Sequence, residues 1–415
     1  MSQKVLLKYG KEEFQFKLPD HDRIYEINKS DANITPAEFK SRLEGELERL
    51  RPDFSDVAIV VADKTRLCGY PLLLPVLIET LKAFGAKTDN ISLYIAYGTH
   101  MRQTDDESYA LYGDTYKNYT FVHHDCRDHA LFKKLGETKR GTPVYIRRDI
   151  LDSSFIITFG AVSHHYFAGY GGGRKLIFPG LGRLEAIYKN HGLFLDRQNR
   201  TLSLSCMPGV LDGNPLAEDL AEYETFCPAD LSIHGIIDRR GNVSDLLVGS
   251  GKGHFQKACT EHGKNCEIVT DKNYDLVIAS CGGYPKDINF IQSHKALHHA
   301  AMFVNDGGNL IVLAECHDGI GSKTFLPWFE IGTWERAFDR LAKNYAGNGG
   351  TALSMMSKLR RINIGVVTQL NNDVCQTIGV NKITMSRAKH DIESCSGSIA
   401  AITHAGLLVK RVSIL

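Results

Sequence analysis

The chain has 415 residues, 43% of them hydrophobic and 23% charged, with a formal net charge of +1. That length exceeds what one hydrophobic core serves, so two domains of an ordinary globular protein are expected. The near-zero charge and the absence of a long basic run argue against nucleic acid or an acidic membrane surface as partner, and no apolar stretch is long enough for a signal peptide or a membrane span.

Residues 57–62 read as a buried strand that ends at Asp63, and residues 73–84 as the helix that follows it. A second strand over 91–96 ends just before Gly98-Thr99-His100, and a third over 155–159 ends just before Ser163. A helix starting near Arg183 ends at Asn190-His191-Gly192. Further along, strands are expected over 275–280, 309–314 and 363–367, with helices over 334–345 and 352–359. This alternation is the pattern of an α/β protein with parallel sheets. The polar stretch 261–272 is the expected boundary, giving an N-terminal domain over 1–265 and a C-terminal domain over 266–415. Ten scattered cysteines form no Cys-x-x-Cys pair, so neither a structural zinc site nor a disulfide framework is expected, and a cytoplasmic location fits. Cys281 and Cys316, near strand ends, read as packing residues.

In open α/β sheets ligands bind beyond the carboxyl ends of the strands. Asp63, His100 and the segment 163–175 all fall there. In Asp63-Lys64-Thr65-Arg66 the arginine can hold a carboxylate or phosphate through paired hydrogen bonds, with the aspartate orienting it. The plainer alternative is a helix N-cap at Asp63 and a surface arginine. His100 is either an acid–base group at a strand exit or a structural histidine. His164 and His165 are adjacent, so in extended backbone they point to opposite sides and only one faces any site. Gly171-Gly172-Gly173-Arg174-Lys175 is a glycine loop that misses the Walker pattern, because Leu176 stands where Ser or Thr is needed, and it also misses Gly-x-Gly-x-x-Gly. Lys175 can nevertheless hold a phosphate or bond covalently to a cofactor. His191 is either helix C-cap chemistry or a metal ligand. Gln292 and Lys295 share one helix face near its start, where they can meet an anion or simply be solvated.

In their order along the chain, Asp63-x-Thr65-Arg66, Gly98-Thr99-His100, His165 to Lys175, Asn190-His191, and Gly282-Gly283-Tyr284-Pro285 with Gln292 and Lys295 resemble the nickel-pincer lactate racemase family. The resemblance covers most of the chain and implies two Rossmann-like α/β domains with the active site in the cleft between them. It implies a racemase or epimerase that inverts a 2-hydroxy acid by reversible proton-coupled hydride transfer to a nickel-pincer mononucleotide, through a planar 2-keto acid. In that scheme Lys175 holds the cofactor covalently through a thioamide, and His191 completes the nickel coordination. His100 and His165 form the acid–base pair. Arg66, Gln292 and Lys295 grip the substrate, while Asp63, Thr65, Gly171, Gly172, Gly173 and Arg174 support the cofactor. The implied partners are a small 2-hydroxy acid, the proteins that make the cofactor, and a second copy of the chain as a homodimer.

Two positions depart from the family pattern. Ile291 stands where a tyrosine is expected, and Asn348-Gly349-Gly350 stands where a tryptophan is expected. Both changes remove aromatic bulk from the substrate wall, so a substrate larger than lactate is expected: aromatic, dicarboxylic or sugar-derived. The rival readings are a pyridoxal-phosphate isomerase using Lys175, which leaves His191 without a role, and a non-catalytic ligand-binding relative on the same scaffold. A zinc hydrolase is disfavoured because no His-Glu-x-x-His spacing occurs.

Overall fold

Strands Val57–Ala62 and Phe155–Ala161 are buried at every position. Runs of Val, Ile, Phe and Ala behave this way when helices cover both faces of a parallel sheet. The computed structural model describes residues 2–19, 22–27, 33–238 and 240–411. Among these, the two strands lie at the centre of a six-stranded sheet ordered Val243–Gly249, Leu231–Ile237, Phe155–Ala161, Val57–Ala62, Ile91–Ala96, Thr120–His123. Every pairing is parallel except the first. The chain builds outward from Val57–Ala62 on one side, then returns to add Phe155–Ala161 on the other. The order therefore reverses between these two strands, and their carboxyl ends flank the place where such sheets bind ligands.

A second six-stranded sheet is parallel throughout, in the order Asn381–Ile383, Asn363–Val367, Val304–Leu313, Tyr274–Ser280, Ile399–Ile402, Arg23–Tyr25. The α/β class read from the alternating pattern is thus present in two regions. No helix among the described residues is long and apolar enough to cross a membrane.

Contacts divide the chain into one unit of Met1–Asn28, Leu195–Leu204 and Asn265–Leu415, and another of Lys29–Phe194 and Ser205–Lys264. The chain crosses between units more often than a single boundary at 265/266 allows. Arg23–Tyr25 is the reason at the sheet, since it pairs with Ile399–Ile402. The hairpin Ser2–Tyr9 and Glu12–Pro19 is the reason at the core. Its inward residues Val5, Leu7, Phe16 and Leu18 are buried against Leu276, Ile278, Ile311 and Ile399 of the second sheet. Alternation marks that hairpin as half-buried, but which sheet it covers is decided by contacts hundreds of residues away.

Candidate active site

The first functional turn is set by two buried tyrosines. The Ala62 N–H donates to Tyr70 Oη at 2.9 Å, and the Tyr112 hydroxyl donates to the Ala62 carbonyl at 2.8 Å. Tyr70 in turn donates to the Phe159 carbonyl at 2.8 Å, tying the two central strands together at their exits. Asp63 follows and accepts from Thr65 N (2.9 Å), Thr65 Oγ1 (2.6 Å) and His100 Nδ1 (2.5 Å). This is an Asx-type turn. The N-cap alternative does not apply, because the next helix begins at Tyr70 with Gly69 at its cap. Arg66 folds back to donate to the Thr65 carbonyl at 2.9 Å. Burial works to raise the Asp63 carboxyl, but the bond and charge of His100, then Thr65 and Arg66, outweigh it and hold it at about 2. The carboxylate is therefore ionised at neutral pH and acts only as an acceptor. The proton of this bond sits on His100 Nδ1, which leaves the lone pair of the neutral imidazole on Nε2. The His100 side chain is 53% exposed.

Backbone bonds lock the His100 loop to the Lys175 turn. Gly98 N donates to the Gly180 carbonyl at 2.7 Å, and Gly180 N donates to the Lys175 carbonyl at 2.9 Å. Gly180 has to be glycine, since a Cβ there would lie 2.2 Å from the Leu176 oxygen and 2.7 Å from Ala96 Cβ. Burial, with the Arg66 and Arg174 guanidiniums, pushes the Lys175 ammonium down to about 7. A substantial fraction of neutral amine at physiological pH is what a nucleophilic lysine needs.

His191 closes the helix Leu184–His191 and donates from Nδ1 to the Ile187 carbonyl at 2.7 Å. That bond places the lone pair on Nε2, as a metal-binding imidazole requires. Burial and the nearby Lys175 push its pKa to about 4, against the opposing effect of the Ile187 bond. The helix end is anchored by Asn190, which donates to the buried Asp219 at 2.8 Å. Thr138 and Thr142 hydroxyls donate to the same side chain at 2.5 and 2.7 Å, so both of its buried oxygens are engaged.

His165 lies on the hairpin Ser163–His165 and Gly169–Gly171, which leads directly into the Lys175 turn. Its Nδ1 accepts from Phe167 N at 3.2 Å and Ala168 N at 3.0 Å. Two main-chain donors at Nδ1 put the proton of the neutral ring on Nε2. His164 turns the other way, as alternation in extended backbone dictates, with its Nδ1 3.2 Å from His262 Nε2.

Gly172, Gly173 and Arg174 have packing partners of their own in the turn. A Cβ at Gly172, whose φ is +83°, would lie 2.4 Å from the Ala161 oxygen, and one at Gly173 would lie 2.6 Å from Phe255 Cδ2. Packing of the turn on its own sheet already requires both, without any cofactor. Only at Gly171 is the nearest atom, Ser163 Oγ, as far as 3.3 Å. Arg174 is 7% exposed, donates to the Ala217 carbonyl at 3.1 Å and lies 4.8 Å over the Phe255 ring. It buttresses the turn through packing, and its charge reaches Lys175 only as a field.

Gln292, Lys295 and Ile291 belong to the other unit. They open the helix Phe290–Ala300, where Asn289 caps Gln292 N at 3.0 Å and Lys295 Nζ donates to Gln292 Oε1 at 2.7 Å. In the stretch before Thr351, a Cβ at Gly349 would lie 2.5 Å from Trp328 Cζ2, so the indole packs directly on that glycine. Sequence reasoning also missed Tyr70, Tyr112 and Asp219, whose only sequence signal is a polar group inside an otherwise apolar pattern.

Among the described residues no group of three or more His, Cys, Asp or Glu side chains could hold a metal ion. A metal at His191 would have to take its other donors from a bound group.

The sequence matches the family described as "Lactate racemase N-terminal domain" over residues 9–203 and "Lactate racemase C-terminal domain" over residues 269–392. It is 30% identical over 346 residues to the lactate racemase of Thermoanaerobacterium thermosaccharolyticum, covering 79% of this chain and 78% of that protein. It is 27% identical over 287 residues to the lactate racemase of Lactiplantibacillus plantarum, covering 67% of this chain and 64% of that one. The fold superimposes on the lactate racemase apoprotein from T. thermosaccharolyticum with a TM-score of 0.88 and 24% identity, over 99% of this chain and 100% of the other. A protein from Thermotoga maritima superimposes with a TM-score of 0.72 and 16% identity, over 94% of this chain and all of that one.

Proposed function

The chain belongs to the lactate racemase family, and from that premise we propose that it racemises or epimerises a 2-hydroxy acid larger than lactate. The observation that carries the reading is the opposite protonation of two histidines in one unit. His100 has its proton on the Nδ1 bonded to Asp63, whereas His165 accepts at Nδ1 and keeps its proton on Nε2. Inversion of a hydroxy acid without net oxidation needs one group to take the hydroxyl proton and another to return it. A base and an acid, one with a bare Nε2 and one with a protonated Nε2, meet that need and exchange roles at each turnover.

The family resemblance implies a nickel-pincer nucleotide, and the residues present fit it. Lys175 offers an amine that is partly neutral, suited to covalent attachment. His191 offers a neutral imidazole whose tautomer is fixed, suited to a soft metal that takes sulfur and nitrogen donors. When bound, the group supplies the acceptor for the substrate's α-hydride. Arg66, held by Thr65, supplies a guanidinium suited to a carboxylate, and in the other unit Gln292 and Lys295 carry an amide and an ammonium suited to an anion. Ile291 gives the substrate wall an aliphatic surface in place of an aromatic ring.

The test is direct. Protein made in a host that supplies the cofactor pathway is given single enantiomers of 2-hydroxy acids, and the enantiomer ratio is followed by chiral chromatography. Loss of optical purity is expected, faster for acids larger than lactate. No change with any 2-hydroxy acid would sink the reading, and a clear preference for lactate would sink its substrate clause.

Asp63→Asn provides a second expectation. The asparagine amide donates where the carboxylate accepted, so Nδ1 of His100 loses its proton and Nε2 gains one. A base becomes an acid, and kcat is expected to fall about 10²-fold or more with little change in KM. Because the wild-type carboxyl sits at about 2, its own titration contributes nothing to the comparison near neutral pH. A KM-only effect in steady-state kinetics would refute it.

A further inference from the structure

Two helices of one unit, Phe290–Ala300 and Gly349–Leu359, carry a polar constellation that acid–base and cofactor chemistry leave unexplained. On the second helix Gly350, Ser354 and Lys358 recur every four residues and so line one face. On the first, Ile291, Lys295 and His298 recur at four and then three residues and do the same. The two faces touch, with Ser354 Oγ 3.5 Å from His298 Nδ1. Lys358 Nζ donates to Ser354 Oγ at 2.7 Å and to the Ser354 carbonyl at 3.0 Å.

Charge at this spot is unbalanced. Lys358 has Ser354 as its hydrogen-bond partner and no carboxylate in an ion pair among the described residues. The nearest charge acting on it is another cation, Arg361, whose own partner is Asp306 at 3.0 Å. Burial, then Arg361, pushes the Lys358 ammonium down to about 7. Its field and that of Lys295 both reach His294, which burial and those charges hold well below its ordinary value. A half-buried lysine without a counter-charge costs the fold stability, and a ligand that brings an anion removes the cost. Ser354 Oγ, itself buried, accepts from Lys358 and keeps its own proton to donate, so a hydroxyl and an ammonium lie side by side as donors to a carboxylate.

We propose that Lys358 and Ser354, with His298 beside them, bind a second carboxylate of the substrate, so that the preferred substrate is a 2-hydroxy dicarboxylic acid. This rests on the racemase reading and narrows it. Lys295 and Gln292 offer donors to one carboxylate, and Lys358 and Ser354, on the helix that touches His298, offer donors to the other. An aromatic acid brings no second anion to offset the ammonium, and a sugar acid would call for several acceptors where this site presents two donors.

The test compares holoenzyme and its Lys358→Met and Lys358→Gln variants on 2-hydroxysuccinate and on 2-hydroxybutyrate, a monoacid of similar length. The wild type is expected to favour the diacid in kcat/KM by at least about tenfold, the worth of one charge-assisted hydrogen bond. Both variants should lose that preference by a similar factor, through KM. Thermal shift supplies a readout independent of turnover: 2-hydroxysuccinate should raise the Tm of the wild type more than that of the variants, whose own Tm reports that they fold. If the enzyme racemises the monoacid but shows no diacid preference, or if the variants lose both substrates equally, the inference is overturned and the racemase reading stands. If it inverts no 2-hydroxy acid at all, the racemase reading fails and the diacid inference falls with it.

Discussion

Lys175→Ala is expected to give a folded protein that carries no covalently attached group, binds no nickel, and loses racemisation by at least about 10⁴-fold. The fold should survive because the structural bonds of residue 175 are main-chain: its N–H donates to Gly172 and its carbonyl accepts from Gly180. The side chain is, if anything, a burden. Its pKa falls from the ordinary 10.5 to about 7 on folding, so between these values the unfolded chain binds more protons than the folded one. Stability of the cofactor-free wild type therefore rises with pH across that window, and the penalty is fully present below about pH 7. Lys175→Ala should then be more stable than the wild type at pH 6 and lose that advantage towards pH 10. Lys175→Arg separates charge from chemistry: it restores a cation that cannot act as a neutral nucleophile, and it should stay as inactive as alanine. Intact mass, nickel content and thermal melts at two pH values check all of this. An alanine variant that keeps the added mass and the metal would show that attachment lies elsewhere.

Much of this site was legible because its residues sit at strand exits. Asp63, His100 and the 163–175 segment follow buried β runs, and the rule that ligands gather beyond the carboxyl ends of such strands places them near one another before any contact is known. What the residues touch was less legible. Gly172, Gly173 and Arg174 read as a cofactor cradle, yet the turn needs the glycines to clear Ala161 and Phe255 and uses Arg174 to brace Ala217. A glycine-rich string does not say whether the close approach is to a ligand or to its own sheet. The tautomers of His100 and His165 depend on hydrogen bonds to Asp63 and to two main-chain amides, and residue type carries no trace of them. At fold level, the alternation of strands and helices fixed the class, but the first hairpin joined the distant sheet because its apolar face matches the uncovered core there.

The acid–base pair yields the sharpest expectation. Removing either histidine, His100→Ala or His165→Ala, should slow racemisation by about 10³-fold or more, and by the same factor from either enantiomer. The equality is thermodynamic. For two enantiomers the equilibrium constant is unity, so kcat/KM must be equal in both directions for every variant, however asymmetric the site. Each complete inversion also uses both residues, one to take the hydroxyl proton and one to return it, and neither variant can finish the cycle. The half-reaction is under no such constraint. With His165 gone, the lone pair on Nε2 of His100 can still take the proton from the enantiomer that presents its hydroxyl to that side, and a single turnover should release 2-keto acid from that enantiomer alone. With His100 gone, only the opposite enantiomer should give keto acid, and more slowly at first, because the wild-type pattern of hydrogen bonds holds His165 in the protonated-Nε2 form that must lose its proton before it can act as a base. Rapid-quench assays on each pure enantiomer read this out. Complementary enantiomer preferences in the two variants would assign one face of the substrate to each histidine, and identical preferences would place both on the same side and break the two-base scheme.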